Sequence, residues 1–139
     1  MREILFRGQT RRKGEKVRLD GTPVDGNWVY GGVAQFNEER AIIYQTEPEF
    51  HKFPVYADTV GQYTGLTDKN GVRVFEGDIL FSSYIADSPS IEVVKWIYNG
   101  WHTQEGDLTP DMIDDVGIMP YSEVIGNVHD NRLEDFYGR

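Results

Sequence analysis

The sequence predicts a mainly β protein, and three observations carry that reading. Aromatic residues make up 13 % of the chain and Gly occurs 15 times, a composition suited to half-buried pleated strands joined by tight turns. Short apolar or alternating runs recur at roughly ten-residue spacing, each closed by Gly, Pro, Asn or Asp. Asn99-Gly100 lies between two such runs, and this dipeptide is the strongest short-range signal of a hairpin.

Taken in order, Ile4-Leu5-Phe6-Arg7 reads as the first strand. Residues 8–27 are rich in Gly and charge, with turn signals at Asp20-Gly21 and Asp25-Gly26 around a small hairpin at Val17-Arg18-Leu19. Residues 27–36 form a strand containing the pair Gly31-Gly32, and residues 41–45 return antiparallel to it across Asn37-Glu38-Glu39-Arg40. Residues 46–58, with Pro48 and Pro54 and little periodicity, read as a connector. Residues 59–63 are extended, Asp68-Lys69-Asn70-Gly71 is a turn, and residues 72–75 and 78–81 are strands either side of Gly77. Residues 86–90 are a loop, 91–98 a strand, and 101–104 its return, which makes Trp96 and Trp101 cross-strand neighbours. Thr109-Pro110-Asp111 has the form of a short helix start, with a capping hydroxyl, Pro at the first position and an acid at the positive end of the dipole. Residues 123–128 are the last strand, and residues 132–139 a polar tail with one helical turn through Leu133 and Phe136.

At 139 residues the chain buries about 68 % of its extended surface, enough for a core without staples. The absence of Cys removes disulfides, thiolate metal sites and Cys nucleophiles together and fits a reducing compartment. Neither a signal-peptide h-region nor a run of about 18 apolar residues is present, so the expectation is a soluble protein inside the cell. Charge is uneven. Residues 1–18 hold seven basic and two acidic groups, or +5, and the whole chain is −9, which leaves −14 for residues 19–139.

Each candidate for chemistry has a plainer structural explanation. With Gly71 at the sixth position of a calcium loop, Asp68 and Asn70 fit, but Leu66 and Gly77 stand where the first and last ligands belong. A hairpin turn accounts for the same residues. Glu76-Gly77-Asp78 brings two carboxylates together, yet a glycine bend between strands explains them equally. His51, His102 and His129 have no metal-ligand spacing and read as surface residues. Asp107, Asp111, Asp114 and Asp115 could hold Mg²⁺, but a solvated acidic face explains the spacing of Asp111 and Asp115. Trp28, Trp96 and Trp101 read as core. The basic arm of Arg7, Arg11, Arg12, Lys13, Lys16 and Arg18 fits ion pairing within the chain or with a second copy, contact with phosphates, with Trp28 and Tyr30 near enough to stack on bases, or a simple solvated loop.

Several segments together resemble the YopX-like family of phage and prophage proteins. They are the opening MREILFRG, the strand GNWVYG at 26–31, the run TVGQYTGLTDKNG at 59–71 with VFEGDI at 74–79, and the ending EVIGNVHDN at 123–131. Residues 9–26 are longer than the family's usual linker, and Asn131-Arg132-Leu133 stands where the family commonly continues with Pro and two leucines. The resemblance implies an N-terminal β segment, residues 1–57, packed on a C-terminal SH3-like barrel, residues 58–139, in a phage or prophage protein of the host cytoplasm. It implies no reaction and no functional residues.

The expected function is therefore a non-enzymatic accessory protein acting as a binding module, without cofactor, membrane association or small-molecule substrate. Its expected partner is a protein or a second copy. Two alternatives are nucleic-acid binding through the basic arm, and an acidic decoy imitating DNA toward a basic host protein.

Overall fold

The computed structural model describes residues 3–13, 19, 27–35, 37–85, 87–106, 108, 110–114 and 119–136. The chain divides into two compact units, residues 1–62 and 63–139. All strand pairings are antiparallel, and no helix among the described residues is long and apolar enough to cross a membrane.

In the first unit, β1 (Phe6–Arg11), β2 (Asn27–Gln35), β3 (Arg40–Gln45) and β4 (His51–Tyr56) pair in the order β4-β3-β2-β1. On its other side β1 pairs with Gly61 and Gln62, the first residues of β5 (Gly61–Thr67). Ala41, Ile43 and Val55 form the core, with Phe6, Val29, Val33, Ala57 and Val60 against it. Full burial of Ile43 and Val55 contributes about 1.5–3 kcal/mol each. The sheet curls so that β1 meets β4: a Cβ at Gly8 would lie 2.8 Å from a Val55 methyl. The Thr59 hydroxyl seals that approach, accepting from the Gln9 N–H (2.9 Å) and donating to the Tyr56 carbonyl (2.6 Å). The expected glycine pair in β2 has a steric cause, since Tyr44 lies directly across from Gly32. A side chain at Gly31 would overlap the Tyr44 carbonyl, and one at Gly32 would meet its ring.

Residues 51–56, expected to be part of a connector, are instead the strand β4. Pro54 faces Ile42 across the ladder and has no N–H to donate, which an outermost strand tolerates.

In the second unit, β6 (Arg73–Phe75) pairs with the rest of β5, Tyr63 facing Phe75. Strands β7 (Asp78–Ser82), β8 (Ser90–Ile97), β9 (Gly100–Gln104), β10 (Asp111–Met112) and β11 (Ser122–Asn127) form one sheet, ordered β10-β9-β8-β7-β11. The SH3-like expectation carried a closed barrel, but among the described residues this sheet is open, with edges at β10 and β11. Val74, Leu80, Val94, Trp101, Ile113 and Met119 make its core.

Asp68 closes the turn after β5. Its Oδ1 accepts from the N–H groups of Asn70 (2.8 Å) and Val72 (2.9 Å), and its Oδ2 accepts from Val124 N–H in β11 (2.9 Å). The Lys69 N–H adds a bond to the Ser122 carbonyl (2.9 Å). The turn thus covers the outer edge of β11, where unpaired backbone would otherwise invite another chain. Gly77, at φ 88°, makes the bend into β7. Its N–H donates to the Val94 carbonyl and its carbonyl accepts from the Val128 N–H, both at 2.9 Å. This left-handed backbone is open to Gly with little strain.

The hairpin turn is displaced by one residue from the expectation. Ile97 pairs with Gly100, and the turn residues are Tyr98 (φ 51°) and Asn99 (φ 58°). Both are left-handed, as a type I′ turn requires. The helix start expected at Thr109-Pro110-Asp111 gives way to β10, in which Asp111 faces Thr103 and Met112 faces His102; residue 109 lies outside the described residues. The tail forms one short 3₁₀ turn at Leu133–Asp135. The small hairpin expected at Val17-Arg18-Leu19 falls mostly on residues outside the described set.

Candidate binding cleft

The first unit carries an open cleft of about 360 Å³ lined by Arg12, Glu38, Glu39, Arg40, Tyr56 and Asp58. Its lining segments are held by hydrogen bonds to the main chain. In the β2–β3 turn, the Asn37 Oδ1 accepts from the N–H groups of Glu39 and Arg40 (both 2.8 Å), and the Asn37 N–H donates to the Arg40 carbonyl (2.9 Å). This is the local side-chain-to-backbone bonding that makes Asn a turn former. The Ala57 N–H donates to the Glu39 carbonyl (2.9 Å), which fixes that turn to the end of β4. Arg40 and Tyr56 are direct cross-strand partners.

Two guanidinium groups attend the Tyr56 ring. The Arg40 Cζ lies 3.9 Å and the Arg12 Cζ 4.1 Å from its centroid, both within cation–π range. Their remaining contacts differ. The Arg12 Nη2 donates to both carboxylate oxygens of Asp58, at 2.9 and 3.1 Å. Arg40 has no ion pair among the described residues, although Glu38 and Glu39 line the same cleft. Among the described residues the cleft therefore presents one guanidinium without an ion pair, that of Arg40, and two exposed carboxylates beside it.

The residues of the basic arm are dispersed. Arg7 is buried, with its guanidinium 4.6 Å from the centroid of the Trp28 ring, so that ring face is occupied by the chain itself. Arg11 is half-buried at the end of β1, Arg12 enters the cleft, and Lys13 is exposed. Lys16 and Arg18 lie outside the described residues. Of the arm's described residues only Arg12 lines the cleft, and sequence reasoning did not single out Arg40, Tyr56, Asp58, Glu38 or Glu39. The signal lay in the strand missed at 51–56: once that segment pairs with β3, Arg40 falls opposite Tyr56.

The other candidates are not brought together. Among the described residues no group of three or more His, Asp or Glu side chains is placed to hold a metal ion. His102, expected at the surface, is buried, with its Nδ1 3.1 Å from the Gly100 carbonyl oxygen and its ring edge-on to Tyr98. His51 is exposed beside Glu49. Asp111 and Asp114 are exposed, and Asp107 and Asp115 lie outside the described residues. Asp78 is buried and accepts from the Phe75 N–H (2.7 Å). Trp101 is core, Trp28 is half-buried, and Trp96 is 52 % exposed with its ring edge-on to Trp101 at 4.9 Å; the expected cross-strand pair is formed, but only one member is core.

A family model described as YopX protein matches residues 6–134. The chain belongs to the YopX family. No curated protein matches it. It is similar to the crystal structure of protein EF1440 from Enterococcus faecalis, with a TM-score of 0.50 and 20 % identity over 94 % of this chain and 96 % of that one. At that identity the likeness shows the fold alone. YopX membership and that likeness agree with the mainly β architecture of two antiparallel sheets, and neither assigns a reaction or a partner.

Proposed function

We propose that this member of the YopX family is a non-enzymatic protein-binding module of a phage or prophage, acting in the host cytoplasm, and that the Tyr56 cleft is where it meets its partner. The observation that carries the reading is the ring-stacked guanidinium of Arg40, without an ion pair among the described residues and fixed on hydrogen-bonded backbone beside the carboxylates of Glu38 and Glu39. Arg and Tyr are the residue types that most often anchor protein interfaces.

The buried carboxylates support a binding role over a catalytic one, because the fold already uses them. Asp68 accepts three backbone N–H bonds. Glu92 accepts from the hydroxyls of Ser90 and Thr103, both at 2.8 Å. Two of the sheet edges are poor docking sites for an added strand, since Pro54 interrupts the donors of β4 and the Asp68 turn covers β11.

The test is affinity capture from host and phage lysate at low and high salt, with the wild-type chain and with Tyr56→Ala combined with Arg40→Gln. The expected result is a protein retained by the wild type and lost by the variant. Nucleic acid as the retained species, or a protein retained equally by both chains, would overturn the proposal.

A further inference from the structure

We infer that the Tyr56 cleft selects a mixed-charge peptide: one carboxylate for Arg40, accompanied by one cation for Glu38 and Glu39. The inference rests on the protein-binding reading and specifies its ligand.

The chemistry follows from which charges are already matched. Arg12 and Asp58 satisfy one another. Arg40, Glu38 and Glu39 remain without ion pairs among the described residues. Arg40 is stacked 3.9 Å from the Tyr56 centroid and faces it across the β3–β4 ladder. Its side chain is therefore partly ordered before any ligand arrives, which lowers the entropy lost on binding. A guanidinium fork matches a carboxylate geometrically. It matches a phosphate as well, so the neighbours decide between them. Two carboxylates on the same cleft, on a chain of net charge −9, repel a dianion or a nucleic-acid backbone more than a single carboxylate. They attract a lysine or arginine carried next to that carboxylate. Like-charge juxtaposition is a recognised route to specificity.

The test uses the full chain and four probes: a short amidated glycine peptide containing one glutamate and one lysine, the same peptide with two glutamates, the same with two lysines, and inorganic phosphate. Binding is followed by amide chemical shifts and calorimetry. The mixed peptide is expected to bind tightest, with shifts at residues 37–40 and 56–58. Arg40→Gln is expected to weaken it about tenfold or more, the loss of one charge-assisted bidentate contact, and Arg40→Lys to restore only part, because the charge returns without the fork. Glu38→Gln with Glu39→Gln should weaken the mixed peptide and strengthen the two-glutamate peptide and phosphate. That reversal shows a selectivity which misfolding cannot imitate. Phosphate or the two-glutamate peptide binding the wild type tightest, or equal affinities for all probes, would overturn the ligand class. If the lysate partner is still captured in a Tyr56- and Arg40-dependent way while the mixed peptide fails, the ligand class falls and the protein-binding reading stands.

Discussion

Replacing Asp68 separates its role as a clasp from any other. The carboxylate is buried, and its oxygens hold three backbone N–H groups. Asn70 and Val72 are exposed, whereas Val124 is half-buried. After truncation the first two N–H groups regain water at a cost of about 0.5–1 kcal/mol each, and the third loses about 1–3 kcal/mol because water reaches it poorly. Asp68→Ala is therefore expected to destabilise the second unit by about 2–5 kcal/mol. Asp68→Asn keeps Oδ1 for the turn but sets an amide donor against the Val124 N–H, so its cost is about 1–3 kcal/mol. Urea unfolding reads the totals, with a midpoint shift of about 1 M or more for Asp68→Ala. Amide hydrogen exchange reads the mechanism. Val124 should lose protection in both variants, and Asn70 and Val72 only in Asp68→Ala. A loss below about 1 kcal/mol for Asp68→Ala, or a Val124 amide still protected in it, would refute the reasoning.

Other outcomes follow from single contacts. Gly77→Ala forces a side chain into the left-handed backbone at φ 88° and should cost about 1–2 kcal/mol in thermal or urea unfolding. Asn99→Gly relieves a left-handed residue (φ 58°) in the β8–β9 turn and should stabilise by about 0.4–1 kcal/mol. Trp101→Ala should cost about 3–5 kcal/mol through the core cavity it leaves, while Trp96→Ala, half exposed, should cost about 1 kcal/mol. Arg12→Ala should change stability by no more than about 1 kcal/mol, because both partners of its ion pair are largely exposed, 46 % and 64 %.

The parts of the fold that local chemistry dictates were legible in the sequence. Asp68-Lys69-Asn70-Gly71 announces a turn, and the structure adds what local chemistry cannot show: the same carboxylate also holds Val124, 56 residues away. Gly77 announced a bend, and it lies at positive φ. Asn99-Gly100 pointed to the right hairpin but not to its register, because the pairing of Ile97 with Gly100 places Asn99 second in the turn. The misreadings came from local signals that tertiary pairing overrode. Pro54 argued against a strand, and its position at a sheet edge removed the objection. Thr109-Pro110-Asp111 had the composition of a helix start, but Asp111 is taken up by pairing with Thr103. The charged cleft escaped notice for the same reason as β4: Arg40 meets Tyr56 only when the segment after Pro48 folds back on β3. The described residues of the basic arm, conspicuous as a run of charge, divide among burial on Trp28 (Arg7), half-burial (Arg11), the Asp58 ion pair (Arg12) and solvent (Lys13) once folded.

The most direct test of the Tyr56 cleft as the binding site is shift mapping of the isotope-labelled chain with its captured protein partner. The expected result is a set of perturbed amides at residues 37–40 and 56–58, abolished by Arg40→Gln. Perturbations confined to residues 63–139, with the cleft amides unmoved, would contradict it.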